Sequence, residues 1–91
     1  MANPTKESVL ESIKEYDEIG LDVFAKKYGT GKKSYYDILY NEKTYLARAI
    51  YTRAYNLVNP GKDWNFRDTG SKRSFQKKHR DWLEELGFSV Q

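Results

Sequence analysis

The sequence predicts a small α+β domain: a helical hairpin, a short antiparallel β-hairpin or small sheet, two further helices and a C-terminal strand that can join the sheet. Three observations predict it. The hydrophobic period changes inside Ser34–Leu57: Tyr36, Ile38 and Tyr40 recur every second residue, and Leu46, Ala49, Ile50, Ala54 and Leu57 then recur at helical spacing. Helical stripes that stop at glycine lie near both ends, Val9/Ile13/Tyr16 before Gly20 and Phe75/His79/Trp82/Leu83/Leu86 before Gly87. Aromatic residues make up 15% of the chain, which argues for a packed core, because disordered chains are aromatic-poor.

At 91 residues the chain is expected to form one domain over 1–91, with residues 1–4 a loose end. Thr5 (or Asn3) caps a first helix beginning near Pro4–Lys6, with Glu7 favourable in its first turn. Gly20 ends it. Leu21-Asp22 opens a short second helix to about Tyr28, burying Val23 or Phe24 together with Tyr28, and Gly29 closes it. The outer face of this hairpin is mostly acidic. A strand over Tyr36–Tyr40 follows, burying Tyr36, Ile38 and Tyr40. Asn41-Glu42-Lys43 is the turn, and a brief return strand through Tyr45 leads into a helix from Thr44 onward. Arg48, Tyr51, Thr52 and Tyr55 fall on its outer face. Pro60 stops that helix, and Trp64 and Phe66 anchor the next loop. Ser71 or Thr69 caps a last helix, SKRSFQKKHRDWLEEL. After Gly87, Phe88 and Val90 alternate as the terminal strand.

Charge is distributed unevenly. Net charge is only +3, but residues 1–31 carry four Lys/Arg against six Asp/Glu, a balance of −2, and residues 32–91 carry twelve against seven, a balance of +5. Between Lys72 and Arg80 stand five Lys/Arg and no acid. Such asymmetry points to an anionic partner, the alternative being a solvated helix face. Gly29-Thr30-Gly31-Lys32-Lys33-Ser34 superficially suggests a phosphate loop. However, Lys33 stands where that loop needs Ser or Thr, and the segment follows a helix rather than a strand. As a basic loop it remains a candidate for phosphate contacts.

The absences restrict chemistry. There is no cysteine and a single histidine, His79, so no zinc-type ligand set can be assembled, and no cofactor is expected. No Asp…Glu-x-Lys nuclease triplet occurs, and one histidine excludes a histidine-rich nuclease motif. Catalysis within this chain is therefore not expected. Without an apolar run long enough to span a bilayer or a signal-like N-terminus, a cytoplasmic location and no membrane partner are expected.

The segments Val9-Leu10…Ile13…Tyr16-Asp17…Gly20, Phe24…Tyr28-Gly29-x-Gly31, Ser34-Tyr35-Tyr36, Lys43-Thr44-Tyr45…Arg48-Ala49-Ile50 and Leu86-Gly87-Phe88 together resemble the N-terminal head domain of ScoMcrA-type restriction endonucleases. Those are modification-dependent type IV enzymes with further domains for modified-DNA recognition and an HNH nuclease domain. Arg48 stands where that family usually carries lysine, and Tyr51, Arg53 and Tyr55 are bulkier than the small residues it tends to place next. The resemblance implies a non-catalytic accessory domain attached to DNA-acting machinery.

The leading expectation is thus a DNA-binding accessory module of a restriction or defence system, holding duplex DNA through backbone phosphates. Lys32, Lys33, Arg48, Arg53, Lys72, Arg73, Lys77 and Lys78 are the candidate phosphate contacts, and Tyr51 and Tyr55 the candidate stacking rings. The rival is a protein-interaction module, such as a small phage or mobile-element protein docking on a host defence complex, with other nuclease domains or a host protein as partner.

Overall fold

The computed structural model describes residues 3–27, 36–60 and 77–91. Their order is α1 (Lys6–Ile19), α2 (Leu21–Lys27), β1 (Asp37–Tyr40), β2 (Lys43–Leu46), α3 (Ala47–Val58), α4 (Lys77–Glu85) and β3 (Ser89–Val90). This is the α+β fold expected, terminal strand included. Tyr28, the Gly29 stop, the basic loop with Lys32 and Lys33, the Trp64/Phe66 loop, the Thr69 or Ser71 cap, Phe75, and Lys72 and Arg73 lie outside the described residues.

α1 starts with a capping box. The Thr5 hydroxyl accepts from the Ser8 backbone N–H at 3.1 Å, and Ser8 Oγ accepts from the Thr5 N–H at 2.9 Å. The stripe Val9, Ser12, Ile13 faces inward. Gly20 ends the helix at φ 84°, ψ 163°, a region open essentially to glycine alone, and its carbonyl accepts from Phe24 N–H to begin α2. Of the two candidates on α2, Phe24 is buried and Val23 stands exposed.

β1 and β2 pair antiparallel from Asp37↔Leu46 to Tyr40↔Lys43. The loop between them is the two residues Asn41-Glu42, at φ 51° and 66°, a primed hairpin turn whose twist matches the strands. Lys43, expected in the turn, is already strand. Pairing holds the backbone extended through Leu46, so α3 begins at Ala47, later than the Thr44 onset its hydrophobic spacing suggests. β3 joins the other edge of β1, giving the order β2-β1-β3, and Asp37 and Gln91 exchange backbone hydrogen bonds at 3.1 and 2.8 Å. The inward face follows the alternation: Ile38 is buried, Tyr36 and Tyr40 half-buried, and Leu39 exposed.

α3 is the helix around which the core closes. Ala47, Ala49, Ile50 and Ala54 are completely buried. The alanines let α1 approach closely, and the buried Ser12 hydroxyl donates to the Ile50 carbonyl at 2.9 Å. Two residues expected on the outer face, Tyr51 and Thr52, are buried instead. α4 covers Tyr51, whose ring meets His79 edge-on at 4.8 Å, and Thr52 satisfies its hydroxyl on the Arg48 carbonyl at 2.7 Å. Leu57, expected in the stripe, is only half-buried.

The far end is tied to the near end. Trp82 Nε1 donates to the Pro4 carbonyl at 2.8 Å, and Pro4, expected in a loose terminus, is buried. α4 closes in a Schellman motif: Phe88 N–H reaches Leu83 O at 3.1 Å and Gly87 N–H reaches Glu84 O at 3.0 Å. Leu83 and Phe88, the apolar pair this motif places together, are both core residues. Gly87 sits at φ 100° with open space where a Cβ would stand. Gly87→Ala is therefore opposed by backbone conformation alone and should cost roughly 1–2 kcal/mol, with Gly87→Asn less harmful. Urea denaturation of the three proteins checks this, and an unchanged midpoint for the alanine variant would contradict it.

Candidate nucleic-acid interface

Positions 48, 51, 52 and 55 are spaced to share one face of α3, and the Tyr51–His79 contact shows that this face meets α4. Arg48 and Tyr55 are half-exposed there, one turn to either side of Tyr51. Lys77 and Lys78 occupy the first two described positions of α4, immediately before His79. Arg48 and the α4 lysines therefore belong to two elements that pack together.

Arg53 does not join them. It lies roughly 140° around α3 from Arg48 and faces α1, where its Nε is 3.0 Å from Glu15 Oε1. Lys27 of α2 approaches the other oxygen of the same carboxylate at 3.4 Å. Glu15 keeps only 20% of its side-chain exposure, so a phosphate arriving at Arg53 would compete with a well-covered carboxylate. The folded chain thus divides the two arginines expected to act together. Arg80 is also engaged with acids, Asp81 Oδ1 at 3.3 Å and Glu84 Oε1 at 3.5 Å, while its guanidinium lies 5.5 Å from the Tyr36 ring centroid. The acids of those pairs keep about half of their side-chain exposure, and an ion pair near the surface contributes about 0–1 kcal/mol.

The tyrosines sort differently from the expectation. Tyr51, expected as a stacking ring, is buried. Burial, and then Tyr55 nearby, push its phenol up to about 12. Tyr45 is buried in a second cluster, where its hydroxyl donates to both Asp17 oxygens at 2.9 and 3.0 Å. Burial first, and then that carboxylate, raise it to about 12. Tyr16 packs on Tyr45 and Phe24 at centroid distances of 5.0 and 5.2 Å. Tyr55 alone of the two proposed rings keeps partial exposure.

One feature of this face escaped the sequence reading. Tyr51, Tyr55, His79 and Trp82, with Asn3 at the rim, line an open hollow of about 310 Å³. The i, i+4 spacing on α3 and the i, i+3 spacing on α4 were legible, but which helix faces which was not. Among the described residues no three His, Cys, Asp or Glu side chains group as a metal site, and no helix is long and apolar enough to cross a membrane.

The raised phenols make a pH prediction. A group whose folded pKa exceeds its unfolded value keeps its full stabilising effect below the unfolded value, near 10 for tyrosine. That effect is lost as pH climbs through the folded value near 12. Denaturant stability should therefore be flat up to about pH 9.5 and fall between about pH 10 and 12, and ultraviolet titration should show tyrosines that ionise late. Complete ionisation near pH 10 with no loss of stability would contradict the burial of Tyr45 and Tyr51.

Comparison with known proteins gives the chain its relatives. The family described as "ScoMcrA-like, N-terminal head domain" matches residues 2–91. A solved structure, that of the type IV phosphorothioation-dependent restriction endonuclease ScoMcrA, shares the fold with a TM-score of 0.70 at 19% identity. The match covers 99% of this chain and 13% of that one, so the chain spans about an eighth of that enzyme's length. No curated protein matches.

Proposed function

The chain belongs to the family of ScoMcrA-like N-terminal head domains, and from that premise we propose that it is a non-catalytic DNA-binding accessory module of a restriction or defence system. Any nuclease chemistry would reside in a separate domain. Duplex DNA is held by its backbone phosphates.

One observation carries the reading. The segment from Lys72 to Arg80 concentrates five cations without an acid, and its described part, α4, packs on the α3 face that bears Arg48. Arg48, Lys77 and Lys78 are the phosphate contacts, joined by Lys72 and Arg73 just upstream and by Lys32 and Lys33 of the basic loop. Arg53 leaves the set, because Glu15 holds it on the opposite side of α3. A protein-docking surface would call for an exposed aromatic patch. The large hydrophobics exposed among the described residues are Val23 and Leu39, neither of them aromatic.

Phosphate contacts release counterions, so affinity for a short duplex should fall by about 0.9 log units per log unit of salt for each phosphate neutralised. Replacing Lys77 and Lys78 by alanine together should reduce that slope by about 2. Arg53→Ala should lower thermal stability and leave the slope unchanged. Fluorescence anisotropy at several salt concentrations measures both. No binding at low salt, or a slope that depends on Arg53 and not on the α4 lysines, would contradict the proposal.

A further inference from the structure

α4 carries its charges in the order that its own stability disfavours. Arg80 falls in its first turn, where no acid stands, and Glu84 and Glu85 in its last, where no base stands. The helix dipole favours the opposite placement at both ends. Arg80 and Glu84 form an i, i+4 pair in the weaker order, base before acid. The same inversion draws a boundary along the chain. Lys72–Arg80 holds no acid, and Asp81 begins the acidic stretch. Arg80 stands at that boundary.

The Arg80 side chain is held in place without being saturated. Its guanidinium carbon lies 5.5 Å from the Tyr36 ring centroid, within cation–π range. Nη2 donates to Asp81 Oδ1 at 3.3 Å, and Nε approaches Glu84 Oε1 at 3.5 Å. The guanidinium has five N–H donors. Nε is buried and forms no hydrogen bond with Glu84 or any other described residue. Nη1 has no ion-pair partner among the described residues. A guanidinium laid on a ring gives up little freedom on binding, and its open donors match the oxygens of a phosphate. The backbone sets where it stands. The Tyr36 carbonyl accepts from the N–H of Ala47, the first residue of α3. His79, the neighbour of Arg80, meets Tyr51 one turn further along that helix. The two contacts bring the first turn of α4 to the start of α3, where Arg48 is half-exposed.

We infer that Arg80 is a phosphate contact, the last on α4, and that Asp81 and Glu84 end the DNA track there by repelling a backbone that continued toward Gly87. This rests on the DNA-binding reading above and goes beyond it, because it fixes one edge of the footprint and gives two acids a part in fixing it. The DNA backbone crosses the starts of α3 and α4 and does not run along α4.

Fluorescence anisotropy with a short duplex, repeated at several salt concentrations, tests this. Arg80→Ala should lower the salt slope by about 1. Arg80→Lys keeps the charge and loses the planar fork, so it should keep the slope and weaken binding at low salt. Asp81→Asn and Glu84→Gln should each tighten binding, by roughly twofold to fivefold at low salt and by less as salt rises. An Arg80 that only tethered α4 to the sheet would not give that gain, because removing an acid would loosen the tether. Both acids are half-exposed, so their variants keep the inference testable if Arg80→Ala fails to fold. An unchanged slope in folded Arg80→Ala, or affinity unchanged or reduced in both acid variants, would overturn the inference while leaving phosphate binding by the other cations intact. No binding of the duplex by the unaltered chain at low salt would overturn both.

Discussion

The packing of α3 against α1 sets the orientation of everything else. Ala49 and Ala54 are small enough for α1 to come close, Val9, Ile13 and Ile50 are buried in the same core cluster, and Ser12 donates to the Ile50 carbonyl across the contact. Burying a residue such as Ile50 or Val9 contributes roughly 1.5–3 kcal/mol, more than the exposed ion pairs of α4 supply. Apolar packing therefore decides how α3 is rotated, and the charges take the positions left to them. With that rotation fixed, Arg53 must point to Glu15 and Tyr51 must point to α4. The division of the two arginines is a consequence of the core.

The β-hairpin enforces the same rotation from the other end. β2 runs directly into α3 with no connecting loop, and the Ala47 N–H is held by the Tyr36 carbonyl at 3.2 Å. A primed turn at Asn41-Glu42 and a β1–β2 register that ends at Leu46 leave no slack in which the helix could turn about its axis. β3 then closes on β1 through the Gly87 motif, which carries α4 back over the Tyr51 face. The hollow exists because these two connections, one without a loop and one a single Schellman turn, bring α3 and α4 into fixed opposition.

Much of this was legible in the sequence. The period change at Ser34–Leu57, the Thr5 cap, the glycine stops at Gly20 and Gly87 and the alternation of Phe88 and Val90 each have a local cause, and each appears where local physics puts it. Membership of the head-domain family was legible too, from short motifs spread along nearly the whole chain. Three features were not. Tyr51 and Thr52 read as surface residues because a helical stripe identifies one buried face, and α3 is covered on two. The partnership of Arg53 with Glu15 spans 38 residues and depends on helix rotation, which no local pattern encodes. Pro4 looked like a free end until Trp82, 78 residues away, supplied its hydrogen-bond donor. Both candidate stacking rings belong to a wider pattern: Tyr16, Tyr36, Tyr40, Tyr45, Tyr51 and Tyr55 all pack in or against the core, where an amphipathic ring gives a small domain apolar area.

The central claim is that DNA meets the face shared by α3 and α4 and leaves the α1–α2 side untouched. Amide chemical-shift mapping during titration with a short DNA duplex at low salt tests it most directly. The account predicts perturbations confined to the Arg48–Tyr55 face of α3, the first turn of α4 and the basic segments adjoining them, with Glu15, Lys27 and Arg53 unmoved. Perturbations centred on Arg53 and Lys27, or spread evenly over the molecule, would contradict it.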